Sequence, residues 1–218
     1  YGHPKNVPQY TGLCRYDNLL KSNNRENQIL CMPTWRLWLQ HCSGDDEFMQ
    51  SEYYRSYNSL MNNQKLAELL EKYNYKLMFY PHFEFQKYIH TFKPCSDRFV
   101  LADFKGFDIQ RLLVECKMMV TDFSSVFFDN AYMKKPVVFY QFDEEKFRSG
   151  HYKEGYFDYR RDGFGPVLQT ESELVDFIEK TLCSGMKLSG YYEKRIDGFF
   201  TKIDADNCQR TYEAILRS

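Results

Sequence analysis

Residues 117–140 read KMMVTDFSSVFFDNAYMKKPVVFY. Two runs in this stretch, KMMVT (117–121) and PVVFY (136–140), lack the polar alternation of a strand with one wet face. Between them, SSVFFDNAYMK (124–134) has helical length and opens on two serines. Strand, helix and strand in this order make a βαβ unit, whose parallel strands are covered on both faces. The polar island Thr121-Asp122-Phe123-Ser124-Ser125 falls where the first strand hands over to the helix.

The same alternation extends in both directions. NQILCMP (27–33), KLMFYP (76–81), RFVLA (98–102) and GPVLQ (165–169) read as further short buried strands, the first two ended by proline. EFMQSEYYRSYNSLMNN (47–63) and QKLAELLEKY (64–73) have helical spacing, with Leu66, Leu69 and Leu70 on one face. DIQRLLVEC (108–116) is a helix with Asp108 at its N-cap. TESELVDFIEKTL (170–182) opens on the T-x-x-E capping box, and DADNCQRTYEAILR (204–217) is a terminal helix. Strands separated by helices predict an α/β fold, a Rossmann-like doubly wound parallel sheet, with residues 1–218 forming one domain.

Composition narrows the function. A length of 218 residues supports one sizeable core. With 29 basic and 30 acidic residues the net charge is -1, which argues against a nucleic-acid binder. The pairs Lys134-Lys135 and Arg160-Arg161 read as solvated surface or as local anion sites. No stretch approaches eighteen apolar residues and no leader pattern is present, while the start at Tyr1 reads as a processed chain or a piece of a longer one. The seven cysteines form no C-x-x-C pair and read as reduced, buried small hydrophobes of a cytosolic protein, with no zinc site. Walker, G-x-G-x-x-G and G-x-S-x-G motifs are absent, as is a carboxylate cluster for two metals.

In doubly wound sheets, ligands bind outside the carboxyl ends of the strands. Those ends carry Thr34-Trp35-Arg36, His82, and Thr121-Asp122 with Ser124-Ser125. Ser124 and Ser125 read as a helix cap or as a phosphate site, and the pair behind an acid favours an anion or ribose. Asp122 accepts either from a ligand hydroxyl or from the loop's own N–H groups. Asp129 reads as a buried ion pair or a contact to a ligand hydroxyl. His82 is either neutral structure or a proton donor opposite phosphate. Arg36 is a candidate phosphate clamp, or a surface residue stacked on Trp35 or Trp38.

TGLCRYD (11–17), PTWR (33–36), PHFEFQKY (81–88), the block at 120–140, GYFDY (155–159) and NCQRTYEAI (207–215) occur in an order that resembles the CDP-glycerol glycerophosphotransferases of teichoic-acid synthesis. The resemblance spans nearly the whole chain and matches that family's C-terminal half. It implies the C-terminal domain of a GT-B glycosyltransferase-like fold, holding a CDP-activated donor. His82 is similar to the family's second essential histidine. Ser124, Ser125 and Arg36 match its donor-phosphate residues. Arg15, Asp122 and Asp129 are candidates for further donor contacts, although Cys14 replaces the family's usual proline before Arg15.

The implied reaction transfers glycerol phosphate from CDP-glycerol to a polymer acceptor with release of CMP. No cofactor or bound metal is expected, with Mg²⁺ left to the assay. The family's W-H-G-T-P segment, which carries the proposed general base, does not occur here, so the acceptor domain is expected elsewhere and the isolated chain is expected to turn over negligibly. The implied partner is a lipid-linked polymer, in the cytoplasm at the inner face of the bacterial membrane. HYKEGYFDYRR (151–161) reads as a loop beside the site in preference to a membrane contact. CDP-ribitol transfer, sugar transfer by a GT-B enzyme, and a non-catalytic nucleotide-binding module are the alternatives.

Overall fold

The computed structural model describes residues 8–21, 25–151 and 155–217. Residues 152–154 of the 151–161 loop lie outside the described residues. Six strands form one all-parallel sheet: β1 (Gln28–Cys31), β2 (Lys76–Phe79), β3 (Phe99–Leu101), β4 (Met118–Thr121), β5 (Val137–Tyr140) and β6 (Val167–Leu168). Their spatial order is β3-β2-β1-β4-β5-β6. This is the doubly wound arrangement, and it reverses direction between β1 and β4. The register sets Cys31 beside Val120, so the segments leaving β1 and β4 emerge side by side.

The pleat sends alternate residues to opposite faces. Ile29, Cys31, Leu77, Phe79 and Val120 pack on one side with Leu66, Leu70, Leu174 and Ile178. Leu30, Met78, Met119, Val137 and Phe139 pack on the other with Leu112, Leu113, Phe127 and Ala131. Burial on both faces explains why the strand sequences carry no polar alternation.

Local chemistry sets the helix ends. Thr170 and Glu173 form the expected capping box of Glu171–Cys183, and the Asp108 side chain accepts from Arg111 N. The helix expected over 47–63 divides into Asp45–Met49 and Glu52–Met61. Ser51 causes the break, because it turns extended (φ -69°, ψ 150°) and caps Tyr54 N. The helix expected over 124–134 shortens to Phe127–Tyr132, since the polar residues before it are taken up in turns. Helices Arg15–Lys21, Glu144–Gly150 and Gly190–Phe199 are additional, as is the 3-10 run Phe83–Thr91.

The two ends of the described chain meet. Asp17 accepts from the backbone of Asn207 and Cys208 and from the Asn207 side chain. Gly12 sits at φ 82°, and a Cβ there would lie 1.7 Å from Asn207 Oδ1. Both the conformation and the space therefore require glycine in TGLCRYD. The cysteines correct the sequence reading: Cys31 and Cys116 are buried, but Cys14, Cys95, Cys183 and Cys208 are exposed, and all seven are free thiols.

Candidate functional site

The crevice at the carboxyl ends of β1 and β4 is held by an ionic network. Arg36 Nε and Nη2 donate to Asp143 at 2.6 and 2.9 Å, a two-pronged pair. Its Nη1 donates to the Thr34 carbonyl at 2.7 Å and lies 2.9 Å from Asp122 Oδ2. Asp122 Oδ1 in turn accepts from Thr34 N and Phe123 N, at 2.8 and 2.6 Å. Gln141 Nε2 donates to the Asp122 carbonyl. One arginine and two aspartates thus bind together the loops after β1, β4 and β5. Burial works against the Arg36 charge, yet Asp122 and Asp143 hold its pKa above the ordinary arginine value.

This geometry corrects the reading of Arg36 as a direct phosphate clamp or a surface residue. Its side chain has 0% exposure, and its donors are spent on protein acceptors. It also lies over the rings of Tyr53, Phe123, Phe142 and Phe147. Asp122, equally buried, serves the loop's own N–H groups and Arg36. It offers nothing to a ligand hydroxyl in this arrangement.

Ser124 is half-buried and Ser125 exposed, both at the mouth of the crevice. Ser124 Oγ accepts from Val126 N at 3.3 Å. On one side, Ser125 lines a cavity of about 330 Å³ with Arg15, Tyr16, Phe128, Phe199 and Lys202. Asp129 lies nearby, paired through both oxygens with Arg15 at 2.9 Å each. That pair is the ion-pair reading of Asp129, and it places Arg15 at the cavity wall.

On the other side of the serines, aromatic contacts run toward two histidines. Phe123 stacks on Phe147 at 3.8 Å, Phe147 on His151 at 4.7 Å, and His151 meets Trp35 edge-on at 4.8 Å. Trp35 stacks beside His82 with centroids 6.0 Å apart. His82 Nδ1 accepts from Glu84 N, so Nε2 carries the proton in the neutral ring and faces away from that turn. His151 Nδ1 accepts from Leu37 N at 2.9 Å. Burial lowers the pKa of both histidines below the ordinary value. Glu84 and Asp122 oppose that for His82, whereas Arg36 adds to it for His151.

Two residues of this site were missed from sequence: Asp143 and His151. Asp143 had a signal, because it follows β5 just as Asp122 follows β4. His151 opens the 151–161 segment that the sequence placed beside the site, but its own position depends on the helix Glu144–Gly150 folding back over the crevice. Among the described residues, no group of three or more His, Cys, Asp or Glu could hold a metal ion.

Fold and crevice together define a Rossmann-like α/β domain with its crevice at the carboxyl ends of the strands, where the strand order reverses. Residues 5–217 match the family described as CDP-glycerol:poly(glycerophosphate) glycerophosphotransferase, and the chain belongs to it. It is 40% identical over 224 residues to the minor teichoic acid biosynthesis protein GgaB of Bacillus subtilis, covering 99% of this chain and 24% of that protein. It is 30% identical over 168 residues to the teichoic acid poly(glycerol phosphate) polymerase of the same organism, covering 73% of this chain and 20% of the polymerase. The chain therefore spans a quarter or less of the length of these relatives. A structure of the wall teichoic acid polymerase TagF soaked with CDPG superposes with a TM-score of 0.62 at 19% identity, over 98% of this chain and 51% of TagF.

Proposed function

We propose that this chain is the donor-binding domain of a CDP-glycerol-dependent glycerophosphotransferase that builds a teichoic-acid or capsular polymer. The observation that carries this is the placement of Ser124 and Ser125 just past β4 at the strand-order reversal, with Ser125 on the wall of a cavity of about 330 Å³. In this reading the cytidine occupies the cavity beside Arg15 and Phe128. The diphosphate lies on Ser124 and Ser125, and the glycerol phosphate reaches toward His82. Family membership and the CDPG soaked into TagF support this choice of donor.

The acceptor hydroxyl attacks the β-phosphorus of CDP-glycerol. A new P–O bond forms, the bridging P–O bond to the α-phosphate breaks, and CMP leaves with the electron pair. The acceptor's proton passes to a base on the acceptor-binding domain of the GT-B pair, outside these 218 residues. Negative charge grows on the departing phosphate, and His82 Nε2–H with the serine hydroxyls stabilises it there. Arg36 contributes by holding the loops that aim these groups. Any Mg²⁺ requirement would belong to the assay.

A lipid-linked acceptor at the inner face of the bacterial membrane would complete the system. Among the described residues no helix is long and apolar enough to cross a membrane. The test is CMP release from CDP-glycerol when the chain is joined to an acceptor domain, compared with CDP-ribitol and UDP-glucose. Preference for CDP-glycerol, lost in His82→Asn, supports the reading. Equal use of UDP-glucose contradicts it.

A further inference from the structure

With Arg36 enclosed by Asp122 and Asp143, the crevice needs another cation if it is to hold a diphosphate. Arg148 is placed to supply it. It lies near the end of the helix Glu144–Gly150, half-buried, with its guanidinium carbon 5.7 Å from the Phe123 ring centre and 5.6 Å from that of Tyr159. Phe123 immediately precedes Ser124, and Tyr159 OH donates to the Phe123 carbonyl at 2.8 Å.

Lying over aromatic rings spends none of a guanidinium's N–H donors on an acceptor oxygen. Among the described residues the Arg148 side chain has no carboxylate partner and no hydrogen bond. Of the acids near it, Asp122 and Asp143 are committed to Arg36, and Glu144 to Arg160. A half-buried cation with unspent donors beside a pair of serines is poised for an anion.

Its support is rigid. The residue before the helix, Asp143, grips Arg36, and the residue after it, His151, accepts from Leu37 N. Between them Phe147 stacks on Phe123. The helix is thus tied at both ends to the loop after β1, which fixes Arg148 over the approach to Ser124.

We infer that Arg148 binds the donor's diphosphate, on the β-phosphate side of Ser124, and that it fills the phosphate-binding role the sequence suggested for Arg36. The inference rests on the donor-site reading above. The side follows from the contacts: Ser125 borders the cavity, whereas Phe123 and Phe147 lead to His151, Trp35 and His82.

The test is titration of CDP-glycerol and CMP into the unsubstituted chain, Arg148→Gln and Arg148→Lys, with thermal melting of each. Arg148→Gln should bind CDP-glycerol about tenfold more weakly, the size of a lost charged hydrogen bond. CMP, lacking the β-phosphate, should lose less. Arg148→Lys should retain part of the affinity, since it keeps the charge without the planar fork. Unchanged CDP-glycerol binding in Arg148→Gln overturns the inference, as does an equal loss for both ligands. Should Arg148→Gln melt early, Arg148→Lys decides: equal losses for both ligands there also overturn it. Failure of the unsubstituted chain to bind either ligand overturns the donor-site reading itself.

Discussion

Thr34 N donates to Asp122 Oδ1 at 2.8 Å, joining residues 88 positions apart in sequence across the point where the strand order reverses. This bond closes the base of the crevice. Because Asp122 also meets Arg36, the loops after β1 and β4 behave as one unit, and the serines beyond them have a fixed platform.

Stability is the first consequence. Arg36→Ala leaves Asp122 and Asp143 buried without their cation, and breaking such a network from one side costs about 3–5 kcal/mol. Urea denaturation of Arg36→Ala and Asp143→Ala should show losses of that size. A stable Arg36→Ala whose sole defect is donor affinity would instead make Arg36 a ligand clamp.

Protonation of His82 should follow the donor. Burial lowers its pKa, so the empty site holds the ring neutral at pH 7. A diphosphate placed beside it raises that pKa, and binding then takes up a proton between the free and bound values. Calorimetry near pH 6.5 in buffers of different ionisation enthalpy should report this uptake. His82→Asn should abolish it. An unchanged uptake in that variant would assign the proton to another group.

The same two histidines predict an acid limit on stability. His82 and His151 have folded pKa values below the unfolded value of about 6.5. As pH falls through 6.5 the unfolded chain gains protons first, so stability declines from there down through the folded values. Denaturation midpoints between pH 7.5 and pH 5 should fall, and the double variant His82→Asn/His151→Asn should flatten that slope.

A control on the fold is available far from the crevice. Thr170→Ala removes one half of the capping box and should cost about 1 kcal/mol without altering ligand binding.

The sheet was legible because its strands are buried on both faces, which leaves uninterrupted apolar runs such as KMMVT and PVVFY. Caps with one local partner, Asp108 and Thr170, were legible too. The long helix at 47–63 was misread because Ser51 caps from inside a periodic pattern. At the site, residue types and strand-end positions pointed to the crevice, but not to which groups face it. Arg36 looked open because its two carboxylates come from 86 and 107 positions away. Arg148, and the bond that His151 makes to Leu37, were hidden for the same reason: a seven-residue helix carries them over a loop distant in sequence.

The central claim is that the serines at the strand reversal hold the phosphates of a cytidine diphosphate donor. Its most direct test is titration of CDP-glycerol, CDP and UDP-glucose into this chain and into Ser124→Ala/Ser125→Ala. The account predicts binding selective for the cytidine diphosphates, weakened about tenfold or more by the double substitution, with a stability loss no larger than about 1 kcal/mol from the Ser124–Val126 bond. Equal binding by both proteins, or no preference over UDP-glucose, would contradict it.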